Sequence, residues 1–298
     1  MSSILKNKYF IGMGTLIALA GVGIFNRTIE VTKEKLRVEG LPEEFEGKKI
    51  ALIADLHQKT FGDDYVNLTS LTEAQQPDFI FFAGDLYSRS EEKPERKIGF
   101  LKKLMEIAPV YYAAGNHEIE HPEQFDRFCD KARAAGVHVL RNSMDHMVSE
   151  GRLLRVYGLE LPLKYYRGRD GDHKDIPSLS AERVRRYLGD APEDQCVFLI
   201  AHDPFFFKAY AEWGAAAVFS GHVHGGVIRL PFIGGLLSPE RKFFPKYSKG
   251  IYTHERSVMA LTAGLGKFRF NNPSEIMLLT LTGKKERKKP AGRPWSIR

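Results

Sequence analysis

The sequence predicts an α/β fold in which helices cover β-sheets. Three observations carry that expectation. Short apolar runs rich in β-branched and aromatic residues alternate with helix-period segments along most of the chain. Five chemistry-bearing motifs occur in order, each directly after such a run, where sites lie at the carboxyl ends of strands. A chain of 298 residues with 43% hydrophobic content is also long enough for one large core and a small second unit.

In chain order, residues 9–25 carry no charge, and a stretch of that length just reaches the lower bound for spanning hydrocarbon. The expectation is an N-terminal transmembrane helix within residues 1–27, hence a single-pass protein of the cell membrane. Ala18-Leu19-Ala20 offers a signal-cleavage alternative, but the apolar run continues through Val22, Ile24 and Phe25, which favours an uncleaved anchor. Lys6 and Lys8 on one flank face Arg27, Lys33, Lys35 and Arg37 on the other, so the side of the membrane stays open.

A connector and edge strand is expected over 29–38 and a polar loop over 41–47. Strand-like runs follow at 49–54, 79–83, 110–114, 137–140, 153–158, 197–201 and 217–220. Helices are expected at 68–75, 97–107, 122–135 closed by Gly136, and 181–188, with Ser180 as N-cap and Gly189 as the stop. Two long interruptions stand near the motifs. Residues 161–177 are rich in Tyr, Arg and Asp, and residues 231–247 carry Phe232, Leu236, Phe243 and Phe244. The second is expected to be a core-covering flap or an apolar lip beside the site.

The five motifs are Asp55-Leu56-His57, Gly84-Asp85, Gly115-Asn116-His117-Glu118, Ala201-His202-Asp203 and Gly221-His222-Val223-His224. Each has a bland explanation taken singly. Gly-Asp after a strand is usually a turn, Asn is an ordinary turn residue, and a lone His is more often a satisfied side chain than a ligand. Their joint occurrence at strand ends outweighs those readings, because imidazoles, carboxylates and an amide oxygen are the ligands that two adjacent divalent ions require. Asp55 and His57, like His222 and His224, stand at i and i+2, which in extended backbone places each pair on one face.

The ordered set Asp-x-His, Gly-Asp, Gly-Asn-His-Glu, His and Gly-His-x-His resembles the calcineurin-like metallophosphoesterase superfamily over about residues 30–282. Gly225-Gly226-Val227, Gly234-Gly235-Leu236, Phe243-Phe244-Pro245-Lys246-Tyr247 and Asn272-Pro273-Ser274-Glu275-Ile276 look more narrowly like its membrane-associated bacterial branch. The resemblance implies a four-layer α/β/β/α sandwich over residues 28–282. It implies two divalent metal ions drawn from Mn, Fe, Zn, Co or Ni. Asp55, His57 and His224 would hold one ion, Asn116, His202 and His222 the other, and Asp85 would bridge. It also makes His117 the acid that serves the leaving group. Glu118 stands where the family often has Asp and Val227 where a Gln is common, two departures that bear on substrate orientation.

The resemblance further implies a phosphoester hydrolase. A phosphodiester or pyrophosphate substrate is expected, lipid-linked or from the cell envelope, with a UDP-diacylglucosamine-type lipid among the candidates. A metal-dependent nuclease and an inactive binding protein of the same fold are the alternatives. Of the seven net positive charges, six fall in the basic tail, residues 283–298, which leaves the body nearly neutral and makes nucleic acid an unfavoured partner. Cys129 and Cys196 make no metal or redox spacing and read as ordinary thiols.

Overall fold

A computed structural model describes residues 28–168, 175–226, 228–230, 234–237, 243–266 and 271–283. Its strands are β1 (Ile29–Arg37), β2 (Lys49–Ile53), β3 (Phe79–Ala83), β4 (Val110–Ala113), β5 (His138–Leu140), β6 (Ser143–Ser149), β7 (Arg152–Leu159), β8 (Val197–Ala201), β9 (Ala217–Ser220), β10 (Ile228–Leu230), β11 (Gly234–Leu237), β12 (Gly250–His254), β13 (Ser257–Leu261) and β14 (Ser274–Thr282). The helices are α1 (Val66–Glu73), α2 (Lys97–Ile107), α3 (Pro122–Ala134), α4 (Ala181–Leu188) and α5 (Phe207–Trp213).

Two six-stranded sheets form, in the orders β1-β14-β2-β3-β4-β5 and β12-β13-β9-β8-β7-β6, with β10 and β11 as a separate pair. Strands β2 to β5 run parallel, as do β7, β8, β9 and β13. The central strands are apolar without interruption because both of their faces are covered. Along β3, Phe79, Phe81 and Ala83 enter the core between the sheets, while Ile80 and Phe82 enter the core beneath α1, α2 and α3. Along β8, Phe198 and Ile200 face the first sheet, and Val197, Leu199 and Ala201 pack under α4 and α5. Phe81 and Phe219 meet edge-to-face across the two sheets, with ring centroids 4.7 Å apart.

The helices follow their sequence periods. Lys97, Phe100, Leu101 and Leu104 form the buried stripe of α2, and Phe125, Phe128, Cys129 and Ala132 that of α3, where Pro122 occupies the first turn. The Ser180 side chain accepts from Arg183 N and caps α4 as expected. Both cysteines are free, Cys129 buried and Cys196 half-buried.

One expectation is corrected. Among the described residues no helix is long and apolar enough to cross a membrane, so the single-pass placement in the cell membrane is not upheld. The segment 9–25 on which it rested lies outside the described residues, as does the basic tail from residue 284 onward.

Strands β6 and β10 to β14, and helix α5, are additional to the elements read from sequence. The most consequential is β14, which pairs parallel with β1 and antiparallel with β2, so the last of the described strands is interior to the first sheet. Its row of apolar residues is buried on both faces.

Candidate metal centre

Each motif lies where a strand runs out into a loop. Asp55 and His57 follow β2, Asp85 follows β3, Asn116 and His117 follow β4, His202 follows β8, and His222 and His224 follow β9. The two sheets lie face to face, so these ends meet at one edge of the inter-sheet core. The loops are also laced to one another. Asp55 N donates to Gly84 O, His57 N to Asp85 O, and Gly221 N to His202 O, at 3.0 to 3.1 Å.

The local conformation differs from the extended backbone expected for the i, i+2 pairs. Asp55, His57, Asp85, His222 and His224 all have positive φ, between 49° and 73°. Alternate residues in the left-handed region, rather than strand pleating, turn each pair inward. Such a conformation costs about 1–2 kcal/mol per non-glycine residue, and clusters of this kind mark functional sites. Asn116 and His117 lie in a turn, not in extended backbone.

The side chains converge closely. Asp55, His57 and His224 each offer a ligand atom within 4.8 Å of the others, and so do Asp85, His202 and His222. A third such group, His57, Asp85 and His117, overlaps both. Oδ2 of Asp85 is the focus, at 3.3 Å from His202 Nε2, 3.8 Å from His57 Nε2 and 3.9 Å from His117 Nε2. Asp55 Oδ1 lies 3.4 Å from His224 Nε2 and 3.8 Å from His202 Nε2. The other Asp85 oxygen accepts from His117 N at 2.9 Å. Gly115 abuts Asp85 so tightly that a Cβ at 115 would fall onto Oδ1.

Charge and burial show what the centre is suited to hold. Asp55 and Asp85 are both buried with almost no exposure. Burial works against their ionisation, yet His224 holds Asp55 below the usual carboxylate range, and His202 holds Asp85 well below it. Burial also opposes charge on His202, but Asp85 and Asp55 push its imidazole up to about 10. Burial drives His57, by contrast, down to about 3. Without a cation, then, a proton on His202 serves the two carboxylates.

The orphaned atoms fit metal better than that proton. His202 Nδ1 contacts Ala83 O at 2.6 Å, and since a carbonyl only accepts, Nδ1 is the donor. This leaves Nε2 aimed at the carboxylates without a hydrogen bond of good geometry. His57 Nδ1 and Asn116 Oδ1 are likewise buried and without a hydrogen-bond partner. A ring fixed by a carbonyl on one nitrogen and presenting the other is the usual arrangement of a metal-ligating histidine.

His117 stands apart from the rest. Its Nδ1 faces Arg89 N at 3.2 Å and its Nε2 the Arg89 guanidinium at 3.1 Å; both partners only donate, so the neutral ring accepts from one of them and the nitrogen that carries the proton gives up the other contact. Burial lowers its pKa, Asp85 opposes this, and Arg89 adds to the lowering.

Several contributors were given no role at the metal centre from sequence. Arg89 follows the Gly-Asp motif by four residues and pairs with Glu120, which also pairs with Arg167. Glu118 lies behind the centre and accepts from Asp85 N, Tyr87 N and Gly115 N, and burial followed by Asp85 pushes its carboxyl up to about 7. It therefore braces the two loops that carry Asp85 and Asn116. Tyr166, from the 161–177 interruption, packs its ring 5.4 Å from that of His222. Only Glu118, within a motif, carried a sequence signal; the rest reach the centre through tertiary packing.

Two sheets with covering helices and a buried His-Asp cluster at their strand ends define a metal-dependent phosphoester hydrolase. The chain belongs to the calcineurin-like phosphoesterase family, whose profile matches residues 48–226. An uncharacterized metallophosphoesterase of Bacillus subtilis, YkuE, is 24% identical over 283 residues, covering 90% of this chain and 92% of that protein. The Escherichia coli phosphodiesterase YaeI is 25% identical over 245 residues, covering 78% and 82%. Among solved structures, a phosphopantetheinyl hydrolase of Mycobacterium tuberculosis aligns with a TM-score of 0.47 at 16% identity, covering 75% of this chain and 91% of that one.

Proposed function

We propose that the protein is a dinuclear-metal phosphodiesterase whose centre is built from Asp55, His57, Asp85, Asn116, His202, His222 and His224. The observation that carries this reading is the position of Asp85 Oδ2, within 4 Å of ring nitrogens from three separate loops. The cluster Asp55, His57 and His224 would hold one ion, His202, His222 and the Asn116 amide oxygen the other, and Asp85 would serve both. When bound, the pair of ions supplies Lewis-acid stabilisation of charge developing on the phosphate oxygens.

The residues around the centre do the remaining work. His117 delivers a proton to the leaving oxygen, a contribution of about 100- to 10,000-fold in general acid catalysis. Arg89 holds the ring in place through its backbone N–H and keeps a positive charge beside the departing group. Glu118 keeps the loops of Asp85 and Asn116 at their spacing.

The name of the Escherichia coli relative favours a diester over a monoester. Phe243 and Phe244 favour one with an apolar portion, such as a lipid-linked diester or pyrophosphate. They are 70% and 62% exposed, and Phe244 N is tied to Leu236 O of β11. The neighbouring Gly235 sits against Gly226, two residues beyond His224.

The test is a metal count and a substrate comparison on the full chain. Two ions per chain are expected, with faster turnover of bis-nitrophenyl phosphate than of nitrophenyl phosphate and loss of both activities in chelator. One ion per chain at saturation, or a clear preference for the monoester, refutes the reading.

A further inference from the structure

Two of the proposed ligands to one ion, His57 and His224, share an unusual support. Both have left-handed backbone, with φ of 49° and 52°. Their Nε2 atoms approach to 3.4 Å. In each case the backbone carbonyl of the histidine accepts a hydrogen bond from a buried side chain that belongs to none of the five motifs. Lys97, the first residue of α2 and 1% exposed, reaches His57 O with Nζ at 2.5 Å. Asn272, fully buried just before β14, reaches His224 O with Nδ2 at 2.6 Å.

Neither donor is there by default. An ammonium is almost never fully buried unless paired. Lys97 also lies 3.9 Å from Glu91 and 5.3 Å from the Tyr65 ring centroid, contacts that make its burial tolerable while the short bond fixes its direction. The Asn272 amide is pressed against Gly225, where a Cβ would come within 2.8 Å of its Oδ1. Gly225 and Gly226 continue the left-handed run that begins at His224. Losing such a hydrogen bond to a carbonyl adds to the intrinsic strain of the left-handed residues.

We infer that Lys97 and Asn272 are positioning residues for one of the two metal sites: they clamp the carbonyls of His57 and His224 and so hold both imidazoles in converging, metal-ready directions. The inference rests on the dinuclear reading. It is selective, because the His202 ring is fixed by a different device, its own Nδ1 on Ala83 O. Loss of either clamp therefore weakens the site of Asp55, His57 and His224 and spares the site of His202 and His222.

The experiment is a titration of the chelator-stripped full chain with Co2+, following the visible absorption of the bound ion, the stoichiometry by elemental analysis and the melting of the metal-free protein. Asn272→Asp keeps the side-chain shape and removes the donor; Lys97→Met removes the ammonium and keeps the aliphatic stem. Each variant is expected to bind one ion as the parent does and the other about 10- to 100-fold more weakly, the range for losing a support of a metal ligand. Asn272→Gln, which keeps an amide donor, is expected to recover part of the loss. A parent that takes up fewer than two ions sinks the dinuclear reading and this inference with it. A two-ion parent with variants that titrate identically sinks the inference alone. So does equal weakening of both ions in step with a lower metal-free melting point, which marks a general loss of fold. Lys97→Met is the variant at risk of not folding, and in that event Asn272→Asp decides.

Discussion

Glu275→Gln tests how the outer wall of the centre is held. Glu275 is fully buried on β14. Its Oε1 accepts from Thr32 Oγ1 at 2.5 Å and Lys249 Nζ at 3.0 Å, and its Oε2 from Thr262 Oγ1 at 3.0 Å and Ala263 N at 2.6 Å. A glutamine offers one oxygen and one amide group, so one of these pairs must face an N–H donor. The threonine hydroxyls can rotate to accept, but Ala263 N and Lys249 Nζ cannot. One of those two is stranded whichever way the amide points. Loss of a bond to a charged group costs about 1.5–3 kcal/mol, and a stranded buried donor about 1–3 kcal/mol.

Lys249 is 19% exposed at its side chain and recovers part of its loss from water, which brings the expected destabilisation to about 2–4 kcal/mol. At about 2–4 °C per kcal/mol for a domain of similar size, melting falls by roughly 4–16 °C. The pH dependence has a definite sign. Burial raises the Glu275 carboxyl, but Lys249, Thr32 and Ala263 together hold it below its ordinary 4.5. Its stabilisation is therefore present in full above that value and is lost as pH falls through the folded value. Thermal melts of parent and variant should differ most near neutrality and converge in acid. A gap below about 2 °C near neutrality, or one that widens in acid, refutes this account of Glu275.

Three further outcomes follow from the centre. Asp85→Asn is expected to lower the occupancy of both metal sites together, measured by elemental analysis at saturating metal; undiminished two-ion content would exclude a shared role for Asp85. His117→Ala should leave metal content unchanged and lower kcat by about 100- to 10,000-fold. That loss should be greater on an alkyl diester than on a nitrophenyl diester, and equal losses would argue for charge stabilisation instead. Gly115→Ala drives a methyl group onto Asp85 Oδ1. Metal binding should weaken at least tenfold, the cost of about 1.4 kcal/mol of displacement, and wild-type affinity by calorimetry would contradict the tight approach.

Much of this arrangement was legible in the sequence, for identifiable reasons. The motifs were readable because each places its ligand-type residue at the end of an apolar run, and parallel strands bring such ends to one edge. Helices α2, α3 and α4 were readable from their buried period and from Ser180. Strand β6 was not, because it is an edge strand whose residues alternate irregularly between exposed and buried. The left-handed conformation of Asp55, His57, His222 and His224 was also hidden, since no glycine announces it at those positions. Lys97 carried no motif signal, and Asn272 stood in a branch-like motif with no site role assigned to it. Their role lies in bonds to carbonyl groups 40 and 48 residues away, which no local pattern encodes.

The interior position of β14 bears on how the chain is made. During synthesis β1 emerges first, yet its partner in the sheet is a strand some 245 residues later, Ile29 pairing with Ser274. Until that segment leaves the ribosome, β1 has no partner strand among the described residues and one edge of β2 stays open. The same late segment brings Asn272 and Glu275. A nascent chain, or one cut short before this strand, would thus have its motifs in hand but neither a closed sheet nor the wall behind His224. The wall behind His224 is therefore complete only once β14 has been made.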